Sequence, residues 1–129
     1  AIDVWLRLMN FSKQMGRHYV HVQFTVKGEP PQQMQLPSAR ALNIILIIQE
    51  ALNNAVKHSG SSEILIESKI IEMNWQISVI DFGKGYQLTE TASKESYGLS
   101  NMQERAKASA IAFSITSESG KGTKVILDL

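Results

Sequence analysis

Trp75-Gln-Ile-Ser-Val-Ile-Asp-Phe-Gly-Lys-Gly85 is the stretch on which the architecture of this chain turns. Trp75, Ile77 and Val79 alternate with Gln76 and Ser78, the period of a strand with one buried face. The same period puts Asp81 on the apolar side, where an unpaired carboxylate is costly. Gly83 and Gly85 follow at once and let the backbone turn and approach a flat ligand closely. The ordinary explanation is an exposed carboxylate just past a strand end, followed by a turn. The functional one is a carboxylate waiting for a donor, such as the amino group of a purine.

Working outward, Glu63 to Ile70 reads as the partner strand of a hairpin joined near Glu72–Asn74. Before it, Ser38 is expected to cap a helix that runs to about Lys57 and stops near Gly60. Upstream of the loop from Gly28 to Pro37, Val20, Val22, Phe24 and Val26 alternate with polar residues as a strand. Ile2 to Met15 has helical spacing, with Gly16 as its stop. Downstream, Gly83 to Tyr97 is irregular and polar and reads as a mobile loop. Leu99 to Ala110 reads as a short helix. Phe113 to Glu118 and Thr123 to Leu129 form a second hairpin around Gly120-Lys-Gly122. Hairpins dominate, so the expected fold is an α/β (α+β) two-layer sandwich. Its sheet is mixed and mostly antiparallel, with helices on one face.

The long helix has two faces. On a wheel of about 100° per residue, Ala41, Ile45, Ile48, Leu52, Ala55 and Val56 form a core stripe. Asn43, Glu50, Asn54 and Lys57 share the opposite side, with His58 at its edge. Such a face is ordinarily just solvated. Leu46 and Ile47 lie on it too, however, so something is expected to cover its start. Asn offers an uncharged oxygen to magnesium, Lys a point charge to phosphate, and Glu a group that orients or deprotonates a nucleophile. Thr123 has the parity of Val125, Leu127 and Leu129, so its hydroxyl is expected to point inward. Gly98 opens the Leu99 helix, whose free amide groups suit phosphate oxygens.

Composition sets the outer bounds. The chain has 129 residues, of which 43% are hydrophobic, and a net charge of +1. That length suits one domain, residues 1–129, and that charge gives no reason to expect nucleic acid or direct membrane contact. Cysteine is absent, which removes disulfides, thiolate catalysis and zinc–thiolate sites. No apolar run reaches the roughly 18 residues of a membrane span. The chain opens without Met, on a helical pattern, and is expected to be a fragment.

Taken in order, these pieces resemble the Bergerat-fold ATPases, the superfamily of gyrase, the related heat-shock chaperones, MutL-type repair proteins and histidine kinases. Gln49-Glu-Ala-Leu-Asn-Asn-Ala-Val-Lys-His58 looks like the asparagine box of that family, and Asp81-Phe-Gly-Lys-Gly85 like its first glycine box. Tyr97-Gly-Leu-Ser-Asn-Met-Gln-Glu-Arg-Ala106 looks like the lid-hinge box, and Gly120-Lys-Gly-Thr123 like the closing Gly-x-Gly-Thr. The form of the first and third boxes is similar to sensor histidine kinases that partner with LuxR/NarL-type response regulators. Where related kinases usually carry a second lid-box glycine, this chain has Asn101. Asp-Phe-Gly also occurs in eukaryotic-type protein kinases, but their His-Arg-Asp loop and Gly-rich loop are missing.

The resemblance implies ATP and magnesium as cofactors. It implies that Glu50 is the catalytic acid or orienting group and that Asn54 holds the metal. Lys57 and His58 approach the phosphates, Asp81 accepts from the adenine amino group, and Gly83 and Gly85 lie beside the base. Gly98 and Leu99 hinge the lid, and Thr123 sits near the adenine. It further implies transfer of the γ-phosphoryl group to a histidine on a separate dimerising helical domain of the same protein, with a response regulator downstream. None of His18, His21 and His58 has the acceptor pattern. The expected location is the cytoplasm, as the inner part of a membrane-bound sensor. Two other readings stay open: an anti-sigma-factor serine kinase of the same superfamily, and a nucleotide-binding module without transfer activity.

Overall fold

A computed structural model describes residues 3–32, 36–85 and 98–129. The described elements are α1 (Val4–His18), β1 (Gln23–Lys27), α2 (Ser38–His58), β2 (Glu63–Ile71), β3 (Asn74–Asp81), α3 (Leu99–Ala108), β4 (Ala112–Glu118) and β5 (Gly122–Asp128). The strands form one sheet in the order β1-β2-β3-β5-β4. Only β1 and β2 run parallel, because α2 makes the crossover between them; the other pairs are antiparallel. The mixed, mostly antiparallel sheet with helices on one face is therefore present as expected. The polar segment read as a mobile loop lies, from residue 86 to 97, outside the described residues, as do Ile2 and Tyr97.

The core forms between the sheet and α2. Ile64 and Ile66 from β2, Trp75, Ile77 and Val79 from β3, and Val125 and Leu127 from β5 point toward the helices and are buried. The period-two argument thus holds on all three central strands. Trp75 also meets Trp5 of α1 edge-on at 6.2 Å. Its indole N–H donates to Ser68 Oγ at 2.8 Å, and that hydroxyl donates onward to the Glu29 carbonyl at 2.7 Å, so neither buried polar group is stranded.

Several boundaries differ from the sequence expectation. Gly16 does not end α1; the helix continues to His18, and Asp3 starts it by accepting from the Leu6 N–H at 3.0 Å. With the helix longer, the chain turns at Tyr19, and Val20 sits outside β1, largely exposed. Ser38 is the first residue of α2 rather than its cap; Pro37 holds the cap position and accepts from Ala41 N–H at 2.9 Å. A rigid proline just outside a helix is pre-set for that role, at the cost of a side-chain cap bond. The β2–β3 turn is tighter than read. Glu72 and Met73 both take positive φ, 51° and 69°, the two-residue hairpin geometry that matches strand twist.

The apolar residues on the polar face of α2 are accounted for. Ile47 is fully buried, because α3 packs across that face. Arg40 Nη1 donates to the Ser109 carbonyl at 2.6 Å and Asn43 Nδ2 to Ser109 Oγ at 2.7 Å. These two bonds tie the end of α3 to the start of α2.

Candidate functional site

The register brings the site together. Asp81 at the end of β3 stands opposite Thr123 on β5, and Thr123 opposite Ser117 on β4. This polar row closes one end of a recess between the sheet and α2. Ala51, Asn54, Ala55 and His58 of α2 line it on one side, Val79, Ile115 and Val125 of the sheet on the other, and Met102 of α3 and Gly85 at its edges. Alanines at 51 and 55, one turn apart, leave room between helix and sheet. A slot with apolar walls and a polar end fits a flat heteroaromatic ring with hydrogen-bonding groups on its edge.

Asp81 is 6% exposed. Burial pushes its carboxyl above the ordinary carboxylate range, and backbone N–H groups of Gly83 and Thr123 oppose that shift. The Gly83 N–H reaches Oδ1 at 3.0 Å. No ion pair to Asp81 exists among the described residues.

The Asp81–Gly85 loop is held on both sides. Lys84 N–H donates to the Ser59 carbonyl at 2.8 Å, Phe82 N–H to Ser61 Oγ at 3.1 Å, and Lys84 in turn accepts from Gly120 N–H. Gly85 has φ +61°, and a Cβ there would run into the Glu118 carbonyl. The second glycine of the box is therefore demanded by backbone packing against the β4–β5 turn, independently of any ligand.

Glu50 opens on the neighbouring cleft between α2 and α3, with Leu46, Gln49, Asn53, Asn101, Met102 and Arg105. Gly98, at φ +66°, caps α3 directly against the Glu50 side chain, so that a Cβ at position 98 would overlap the carboxylate. Leu99 is buried in the core and lines neither cleft. Lys57 is exposed on α2 and also lines neither.

Of the residues singled out from sequence, Asn54, His58, Asp81, Gly85 and Thr123 thus share one recess. Gly83 is bonded to its carboxylate, and Glu50 and Gly98 meet one turn of α2 away. Ser59, Ser61, Met102 and Ser117 were not singled out. For Ser117 the signal was available in part: its parity within β4 matches that of Phe113 and Ile115. The pairing of β4 with β5 that sets it beside Thr123 was needed as well.

Residues 39–129 match the family model described as histidine kinase-, DNA gyrase B-, and HSP90-like ATPase, and the chain belongs to that family. It is 35% identical over 83 residues to the sensor histidine kinase LiaS of Bacillus subtilis, covering 64% of this chain and 23% of that protein. It is 34% identical over 106 residues to the sensor histidine kinase YhcY of the same organism, covering 82% of this chain and 27% of that one. The chain thus spans about a quarter of the length of these relatives. The histidine kinase domain of the Erythrobacter litoralis EL346 blue-light activated kinase has the same fold, with a TM-score of 0.82 at 18% identity, over 99% of this chain and 65% of that one. The ATPase family read from the four boxes is borne out.

Proposed function

We propose that residues 1–129 are the ATP-binding, catalytic domain, on the cytoplasmic side, of a membrane-bound sensor histidine kinase. It passes the γ-phosphoryl group of ATP to a histidine on a separate dimerising helical domain of the same protein. A response regulator of the LuxR/NarL type then receives it. The observation that carries this reading is the buried Asp81 carboxylate at the end of an apolar slot, in a chain of this ATPase family.

Asp81 accepts a hydrogen bond from the adenine amino group, and the Ala51, Ala55, Val79 and Val125 side chains sandwich the ring. His58 and Asn54 lie along α2 from the base toward the phosphates, and Lys57, on the exposed side, offsets phosphate charge from solvent. The donor set suits magnesium: Asn54 supplies one neutral oxygen, and the described residues hold no cluster of three acids or histidines. An ion that keeps its waters and takes phosphate oxygens needs no more. When bound, it offsets the charge of the transferring group. Glu50 accepts the imidazole N–H of the incoming histidine and holds that ring's free nitrogen toward the γ-phosphorus. None of the histidines of this chain has the acceptor pattern: His18 ends α1, His21 precedes β1 and His58 lines the recess.

The test is phosphotransfer in trans. The chain is expected to bind a non-hydrolysable ATP analogue in the micromolar range, more tightly with magnesium. It should also label a supplied cognate helical domain on histidine, in a bond stable to base and labile to acid. Label on serine would make it a serine kinase, and binding with no transfer would reduce it to a nucleotide-binding module.

A further inference from the structure

Three consecutive amide groups of the glycine-rich loop each reach a different acceptor. Phe82 N–H goes to Ser61 Oγ at 3.1 Å, Gly83 N–H to Asp81 Oδ1 at 3.0 Å, and Lys84 N–H to the Ser59 carbonyl at 2.8 Å. The middle bond sets the direction of the carboxylate. The outer two come from the turn after α2 and fix the peptide planes on either side of it. The bond to Ser59 is made by main chain on both sides, so Ser61 is where a side chain enters this arrangement.

The directions of these bonds follow from the groups themselves, since an N–H only donates and a carbonyl only accepts. Ser61 Oγ accepts from Phe82 N–H and from Glu63 N–H at 3.3 Å, and gives its one proton to the Glu63 carbonyl at 2.5 Å. Its hydroxyl is thus fully used. Ser61 N–H donates in turn to Ser59 Oγ at 2.9 Å. Ser59 is buried at 6% exposure and packs so closely on Gly83 that a Cβ there would overlap the Ser59 carbonyl. Ser61 is therefore tied to the end of α2 and the start of β2. It lines neither the recess nor the Glu50 cleft, so any effect it has on a nucleotide has to pass through the loop.

We propose that Ser61 is a positioning residue for base recognition: by holding the Phe82 amide it keeps the Gly83 N–H on Asp81 and so aims the carboxylate at the 6-amino group of adenine. Without the Ser61 hydroxyl the peptide before Gly83 is free to rotate, and the carboxylate loses the bond that orients it. This inference rests on the assignment of the recess to the adenine ring.

The experiment measures affinity for ADP and for purine riboside diphosphate, which is ADP without its 6-amino group, in the parent chain, Ser61→Ala and Ser61→Thr. The parent is expected to prefer ADP. Ser61→Ala should weaken ADP binding about three- to tenfold, the worth of one neutral hydrogen bond. Purine riboside diphosphate, which gives Asp81 no amino group to accept from, should change by less than about twofold, short of such a bond. Ser61→Thr keeps the oxygen and should bind ADP as the parent does. Thermal unfolding of the empty variants establishes that they are folded. ADP affinity unchanged within about twofold in folded Ser61→Ala, less than one hydrogen bond, would overturn the proposal. So would an equal loss for both ligands, which is what a general loosening of the site produces, or a loss in Ser61→Thr as large as in Ser61→Ala. A parent that binds the two ligands equally would instead overturn the pairing of Asp81 with the adenine amino group beneath it.

Discussion

If Asp81 recognises adenine as proposed, Asp81→Asn should separate its effects on binding and on folding and drive them in opposite directions. The side chain is the same size, so the recess keeps its shape. The asparagine has one acceptor oxygen where the carboxylate has two. If that oxygen keeps the Gly83 N–H, now accepted at 3.0 Å, the amide N–H₂ faces the adenine amino group, donor to donor. If it turns to the adenine, Gly83 loses its partner. Either way one charge-assisted bond is lost, about 1.5–3 kcal/mol, which corresponds to about 10- to 150-fold in affinity.

Stability should not follow. The folded carboxyl is raised above its ordinary value of 3.8 by burial. A raised carboxyl favours the fold fully below the unfolded value, and that contribution is lost as pH rises through the folded value. Above the folded value the ionised group therefore works against folding, and Asn removes the charge. Titration of a non-hydrolysable ATP analogue with magnesium, beside thermal unfolding of the empty protein, reads both effects. The expected pair is a large loss of affinity with an unfolding midpoint equal to or above the parent's. In the parent, affinity should rise with pH through the raised value of Asp81, since the ionised form is the better acceptor, while the stability of the empty protein falls over the same window. Affinity of folded Asp81→Asn within about threefold of the parent, well short of one charged hydrogen bond, would refute the reasoning.

Three further substitutions test the packing around the site. Gly98→Ala puts a methyl into the Glu50 carboxylate at a φ of +66°; it should cut phosphotransfer more than nucleotide affinity, read by comparing single-turnover transfer with binding, and cost about 1 kcal/mol or more of stability. Leu52→Ala removes a fully buried side chain from the middle of α2 and should cost about 2–5 kcal/mol in urea unfolding. Met73→Gly should stabilise: Met73 is 93% exposed and held at φ +69°. Relief of about 1–2 kcal/mol of left-handed strain, less the added chain entropy of glycine, should leave a net gain of roughly 0.5 kcal/mol in the same assay.

What was legible in the sequence was whatever local period controls. Strand parity placed Asp81 with Trp75, Ile77 and Val79, and Thr123 with Val125 and Leu127, before any pairing was known. Helical period put Glu50 and Asn54 on one stripe of α2, and the misplaced Leu46 and Ile47 announced a cover over it. The order of the four boxes pointed to the family. Boundaries were less legible where two local signals competed. Gly16 reads as a stop, yet packing of α1 on the core carries the helix past it, with Phe24 beside it. Ser38 reads as a cap, yet the adjacent Pro37 takes the position.

The sequence alone therefore determined which face each polar group occupies and, through the boxes, the kind of ligand it serves. Only the tertiary structure decided which of those groups meet. Asp81, Thr123 and Ser117 form one row because β5 pairs with both β3 and β4, and no periodicity within a strand encodes its partner. Ser59 grips the Asp81–Gly85 loop, and Gly98 abuts Glu50, across separations that the chain closes only when sheet and helices dock. Local period sets the direction of a side chain, while register and packing set its neighbours, and in this chain the neighbours of Asp81 and Thr123 are what turn a misplaced carboxylate into a candidate base-recognition site.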